Sequence, residues 1–252
     1  MKCIIIAAGY ATRLYPLTEN YPKPLLDVGG KPILDWLIED VDVVVDEFIV
    51  VTNHKFIGIF EKWAAKKNKI RVIDDGTSTN ETRLGAVRDI QLSVEGINDD
   101  VLVMAGDNML DFSLVPFITF ASSIGTSCVM CHEEDSLEAL RKTAVITTTS
   151  EGKIISYEEK PQEPKGNLAV PPFYYYREQD IKRIAEALED GCGYDAPGSF
   201  AAWLCGNVDL YAWKMPGRRY DIGDIISYEA VKEMWKAKYK LQNLKNNSRT
   251  SS

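Results

Sequence analysis

Four groups of residues in this chain have the types and spacing to do chemistry. The first is a turn of small residues, Ala7, Ala8 and Gly9, which follows the apolar run ending at Ile6 and leads to Thr12, Arg13 and Lys23. Amides in such a turn cradle anionic oxygens, and glycine lets a ligand approach the backbone closely. Arg13 brings a planar fork for phosphate and Lys23 a point charge, on a loop stiffened by Pro16, Pro22 and Pro24. The pattern predicts a site that holds a polyphosphate and neutralises it. The second group is VLVMAGDN, an apolar strand ending in Asp107 and Asn108. A carboxylate there suits a divalent cation, although GDN is also common turn chemistry. The third is YEEKP with Glu159 and Lys160, which in isolation also fits a charged turn closing a strand. The fourth is RYDIG with Asp221, a weak pattern by itself. A further segment, Asn80 to Ala86, places Glu81, Arg83 and Gly85 where a base edge could be read. An ordinary helix N-terminus explains it equally well.

These groups need elements to carry them. Apolar runs at Cys3–Ala7, Glu47–Thr52, Ile70–Ile73 and Val101–Ala105 read as strands buried on both faces. Helical spacing falls between them at Pro32–Asp40, Phe56–Ala65 and Leu84–Val94. This alternation predicts an α/β fold with a doubly wound, mainly parallel sheet. Strand signals then crowd together at Ser127–His132, Thr143–Thr149, Ile154–Glu159 and Phe173–Tyr176, predicting an antiparallel or mixed extension. Helices at Gln179–Glu189 and Phe200–Cys205, a strand at Val208–Trp213 and a helix at Ile225–Lys238 complete the reading. The chain divides into one domain, 1–238, and a polar tail, 239–252, expected to be disordered.

Composition narrows the class. A chain of 252 residues with 45% apolar and 26% charged content can build a sizeable core. The net charge of -8 argues against a general nucleic-acid binder. No apolar run reaches transmembrane length, and no signal-peptide pattern opens the chain, so a cytoplasmic protein is expected. Cys128 and Cys131 form a CxxC beside His132, but there is no second pair and His54 is the other histidine. The pair therefore reads as a buried strand of reduced thiols, with a zinc site the sharper alternative.

In this order the motifs resemble the signature of the sugar-1-phosphate nucleotidyltransferases, or NDP-sugar pyrophosphorylases, which include glucose-1-phosphate thymidylyl- and uridylyltransferases. The opening segment matches A-A-G-x-x-T-R-L-x-P-L-T-x-x-x-P-K-P-L, and the resemblance extends to about Lys238. It implies a Rossmann-like nucleotidyltransferase fold with an antiparallel sugar-binding extension. The implied reaction joins an NTP, with dTTP or UTP favoured, to a sugar 1-phosphate and releases pyrophosphate. Ala7, Ala8, Gly9, Thr12, Arg13, Glu81, Gly85 and Asp107 would bind the nucleotide. Asn108, Glu159, Lys160, Val170 and Tyr174 would bind the sugar phosphate. Arg13, Lys23 and Lys160 would be catalytic, and Asp107 and Asp221 would hold Mg²⁺. Homo-oligomerisation is left open, and neither a nucleic-acid polymer nor a membrane is expected as a partner.

Two departures from the family pattern stand out. Ala11 replaces a glycine, and Pro171-Pro172 replace Thr-Gly in the strand expected to line the sugar pocket. Two alternatives accompany the main reading. One is a CTP-dependent cytidylyltransferase acting on phosphocholine or a phosphonate, its cation boxed by Tyr174, Tyr175, Tyr176 and tryptophans. The other is a catalytically weak regulatory homologue that binds nucleotide sugar.

Overall fold

The computed structural model describes residues 1–249, with side chains to residue 237. Because KCIII, EFIVVT and VLVMA carry almost no polar alternate, they can be stable only with both faces covered. The chain opens with β1 (Lys2–Ile6), a short ribbon of β2 (Asp27–Val28) and β3 (Lys31–Pro32), and α1 (Ile33–Val41). It continues through β4 (Glu47–Thr52), α2 (Ile57–Ala64), β5 (Ile70–Asp74), α3 (Ala86–Val94) and β6 (Val101–Ala105). Next come β7 (Asn108–Leu110), α4 (Val115–Ile124), β8 (Cys128–Glu133), α5 (Leu137–Leu140), β9 (Ala144–Thr148) and β10 (Ile154–Glu159). Then follow β11 (Leu168–Val170), β12 (Phe173–Tyr176), α6 (Glu178–Ile181), α7 (Ile184–Glu189) and α8 (Gly198–Cys205). The last elements are β13 (Tyr211–Lys214), β14 (Arg219–Asp221) and α9 (Ile225–Arg249).

Ten strands form one sheet in the order β10-β9-β11-β8-β12-β6-β1-β4-β5, with β13 added to β8. β6, β1, β4 and β5 are parallel. β12 then runs antiparallel to β6, and β8, β11, β9 and β10 continue the antiparallel side. The fold is therefore the expected α/β class, a mainly parallel core with an antiparallel extension. Side chains alternate across the parallel strands. Ile5, Val50 and Leu102 pack with Leu37, Phe60 and Phe117 on one face. Ile4, Val51 and Val103 pack with Val87, Ile90 and Phe200 on the other. β7 and β14 make a separate two-stranded ribbon in which Asp221 pairs with Asn108.

Several expectations shift. The helix expected across Gln179–Glu189 is two helices, α6 and α7, broken at Lys182 and Arg183, and buried Asp180 within α6 accepts a hydrogen bond from Ser127 Oγ at 2.6 Å. The strand expected from Val208 begins at Tyr211, because Val208 N donates to Leu204 O and closes α8. α4 forms over Val115–Ile124, where the sequence predicts no element, and α9 runs to Arg249, past its expected end at Lys238. Residues 250–252, the end of the expected tail, lie outside the described residues. Cys128 and Cys131 are buried in β8, and among the described residues no group of three or more His, Cys, Asp or Glu side chains is arranged to hold a metal. Among those residues, too, no helix is long and apolar enough to cross a membrane.

One charged group sits against the grain of the core. Asp89, in the first turn of α3, is 3% exposed, and its Oδ1 has no hydrogen-bond partner. Burial, with Asp75 nearby, pushes its carboxyl from 3.8 up to about 7. The native state therefore holds this proton more tightly than the unfolded chain does, so stability should fall as pH rises from about 4 to about 7. Asp89→Asn should be near-neutral at pH 4 and stabilising at pH 8, by at most ~4 kcal/mol. Urea denaturation at the two pH values checks this. An equal effect at both would show that Asp89 is not proton-linked to folding.

Candidate active site

The parallel strands end at an edge where α/β sheets present their loops to ligands. A cleft of about 430 Å³ lies there, lined by Ala7, Gly9, Thr12, Arg13, Lys23, Ala86, Asp107 and Asp221 among others. The sheet thus brings the opening loop and both distant aspartates to one place. Arg13 is exposed in the cleft, whereas Lys23 is buried and donates from Nζ to Asp107 Oδ2 at 2.7 Å.

A chain of polar contacts fixes these groups. Asn108 is 1% exposed; its Nδ2 donates to Asp107 Oδ1 at 3.0 Å, and its Oδ1 accepts from Arg219 at 2.8 Å. Arg219 also lies 3.9 Å from Asp221 Oδ2. The β7–β14 register sets Asp221 directly across from Asn108, and so beside Asp107. Asn108 thereby acts on Asp107 and lines neither the cleft nor the neighbouring pocket.

The small-residue turn is anchored from below. Asn53 is fully buried just past β4; its Nδ2 donates to Ala8 O at 2.9 Å, and its Oδ1 accepts from Phe56 N at 3.2 Å. Ala8 therefore faces inward while Ala7 and Gly9 line the cleft. Ala11 adopts φ 47°, ψ 43°, a left-handed conformation that suits glycine and costs another residue about 1–2 kcal/mol. Its carbonyl is held by Leu14 N and, at 2.7 Å, by the hydroxyl of buried Thr18. The turn is thus kept in shape without the glycine.

A second pocket of about 230 Å³ adjoins the cleft through Pro197, which lines both. Glu159, Lys160, Val170, Pro172, Tyr174 and Asp195 are among its walls. Burial raises the Glu159 carboxyl above its ordinary range, and the Lys160 charge opposes that shift. Lys160 itself has φ 48°, another left-handed position, with its N–H bonded to Thr143 O at 3.1 Å. Pro171 and Pro172 bring no N–H to this wall. Tyr174 and Tyr176 stack on each other at 5.7 Å and are buried, so the tyrosine run packs the wall and does not box a cation.

Glu81 and Gly85 stand apart from both lining sets. Glu81 is exposed on a short 3-10 turn, Asn80–Thr82. Gly85, at φ +91°, is buried against Tyr194, where a Cβ would lie 2.6 Å from the Tyr194 carbonyl oxygen. Asn53, Arg219 and Thr18 were not singled out from sequence. The faint signals for them are a polar residue directly after a buried strand, an arginine two before Asp221, and a threonine within the proline-stiffened loop.

A cleft edged by a small-residue turn, a buried lysine and two converging carboxylates has the chemistry to hold a polyphosphate together with a cation. The chain belongs to the nucleotidyl transferase family, whose model matches residues 2–237. It is 30% identical over 189 residues to the bifunctional protein GlmU of Methanocaldococcus jannaschii, a match covering 75% of this chain and 42% of that protein. It is 29% identical over 178 residues to the UTP–glucose-1-phosphate uridylyltransferase AglF of Haloferax volcanii, covering 70% of this chain and 72% of AglF. The chain thus spans less than half of the GlmU relative and most of AglF. Its fold matches a UDP-glucose pyrophosphorylase solved with UDP-glucose, at a TM-score of 0.79 and 22% identity, over 94% of this chain and 98% of that one.

Replacing Asn53 with alanine should leave Ala8 O and Phe56 N unpaired in the core and cost about 1–3 kcal/mol each. A midpoint shift in urea denaturation with an unchanged slope would register the loss. A variant as stable as the wild type would show that the turn is held by other means.

Proposed function

We propose that this protein transfers a nucleotidyl group from UTP or dTTP to a sugar 1-phosphate, releasing pyrophosphate. The reading rests above all on one arrangement: Lys23, Asp107 and Asp221 converge in a cleft that runs on, past Pro197, into the pocket of Glu159 and Lys160. Two anionic reactants need two adjoining sites, with cations and carboxylates between them. The likeness to AglF, a UTP–glucose-1-phosphate uridylyltransferase, and the UDP-glucose complex of the structural neighbour support a uracil nucleotide and a glucose phosphate.

A phosphate oxygen of the sugar 1-phosphate attacks the α-phosphorus of the NTP. The bond from that phosphorus to the bridging oxygen breaks, and pyrophosphate carries off the electron pair. Little covalent work falls to the protein; positioning and charge neutralisation dominate. The Ala7–Gly9 turn cradles the phosphates, and Arg13 neutralises the departing pyrophosphate. Lys23, buried and aimed along the floor, stabilises charge at the α-phosphate. Lys160 holds the attacking phosphate, and Glu159 accepts hydrogen bonds from sugar hydroxyls.

The residues also fit Mg²⁺. Each Asp107 oxygen accepts one hydrogen bond and retains acceptor capacity, and Asp221 is exposed toward the same cleft. A cation that binds through one or two carboxylates plus water and substrate phosphates matches that donor set. Bound there, Mg²⁺ would supply charge neutralisation between the two anions.

A matrix of NTPs against sugar 1-phosphates, read as pyrophosphate release with and without Mg²⁺, tests the reading. Lys23→Ala and Asp221→Ala should each lower turnover by roughly 10²–10³-fold while the fold survives. Near-wild-type turnover in either variant, or pyrophosphate release that ignores the sugar phosphate, would overturn the assignment.

A further inference from the structure

The segment between α7 and α8 touches both halves of the cleft. The Tyr194 and Asp195 carbonyls accept hydrogen bonds from Val87 N at 2.9 Å and Ala86 N at 3.2 Å, in the first turn of α3. Gly85 leaves no room for a side chain beneath Tyr194, and the Arg88 guanidinium lies over the Tyr194 ring at 4.3 Å. Arg83 Nε donates to Asp195 Oδ1 at 2.9 Å, and Arg83 also reaches back to Asn80 O at 3.3 Å. Two residues further on, Pro197 forms part of both the nucleotide cleft and the acceptor pocket.

Stability does not explain the Arg83–Asp195 pair. Its side chains are 45% and 53% exposed, and such pairs contribute little to folding. What the pair fixes is direction. Asp195 belongs to the acceptor pocket with Glu159, and among the described residues its Oδ2 has no hydrogen-bond partner. The hydrogen bond from Arg83, and then its charge, hold the Asp195 carboxyl below its ordinary range, which keeps it an acceptor near neutrality.

We infer that Arg83 and Asp195 form a latch between the nucleotide and acceptor walls, which presents Asp195 as a second carboxylate, beside Glu159, reading the hydroxyls of the acceptor. Two acceptor-only groups in one small pocket select a polyhydroxylated phosphate, whose O–H groups donate to both. An acceptor without donors would leave Glu159 and the Oδ2 of Asp195 without a hydrogen-bond donor in the occupied pocket. The inference rests on the transferase reading for its substrate, and the latch itself can be tested without turnover.

Arg83→Gln should speed amide hydrogen exchange at Ala86 and Val87, whose N–H groups donate to the Asp195 and Tyr194 carbonyls, by about tenfold in the absence of substrates. Asp195→Asn should weaken glucose 1-phosphate binding about tenfold, as both calorimetric Kd and KM, with kcat and the NTP KM within about twofold of wild type. The charge-swapped pair Arg83→Asp with Asp195→Arg should restore slow exchange yet leave glucose 1-phosphate binding weak. Unchanged exchange in Arg83→Gln would remove the latch. Wild-type glucose 1-phosphate affinity in Asp195→Asn or in the swapped pair would remove the hydroxyl-reading role. Both KM values rising together would reduce Asp195 to general structural support. If the wild type releases no pyrophosphate with any sugar 1-phosphate, the transferase reading fails, while exchange and calorimetry still decide the latch.

Discussion

The buried lysine at the cleft floor sets the terms for everything around it. Lys23 is 6% exposed, and an ammonium so placed is tolerable only with an opposite charge in direct contact. Asp107 supplies it at 2.7 Å, across 84 residues of sequence. That contact ties the opening loop to the end of β6. Asp107 is then fixed by Asn108, and Asn108 by Arg219, so the constraint passes into the β7–β14 ribbon. One desolvated cation thus dictates a line of polar partners through three parts of the chain. The same line delivers the second carboxylate, Asp221, to the cleft.

Much of the fold was legible because its centre is written in continuous apolar runs. EFIVVT and VLVMA form strands with the expected ends, since a segment buried on both faces leaves no choice of face to misread. Legibility failed where structure depends on partners remote in sequence. β7 and β14 have three residues each and exist through their mutual register. VPFITFASSI is apolar nearly throughout, which gives no period to read, and it folds as α4.

The site divides in the same way. Arg13, Lys23, Asp107, Glu159, Lys160 and Asp221 show in sequence because each is a charge placed at a turn or strand end. Asn53 and Arg219 do not, because their roles arise only through a backbone carbonyl 45 residues away and a side chain 111 residues away. Gly85 shows the converse. The sequence offers it as room for a base, but the group it makes room for is Tyr194, more than a hundred residues on in the chain.

The β7–β14 pairing has a consequence for the order in which the protein is made. The small-residue turn follows β1, whereas Asp221 ends β14, after all the other strands. β1, β4, β5 and β6 can associate early, since their parallel pairings with one another all lie within residues 2–105, and β12 adds to β6 afterwards. The cleft cannot be completed with them, because Asp221 is synthesised only well after that half-sheet. Contacts of such long sequence separation close late, after the loops between them have been ordered. A nascent chain therefore passes through a stage in which the small-residue turn stands on its half-sheet while the cleft still lacks Asp221.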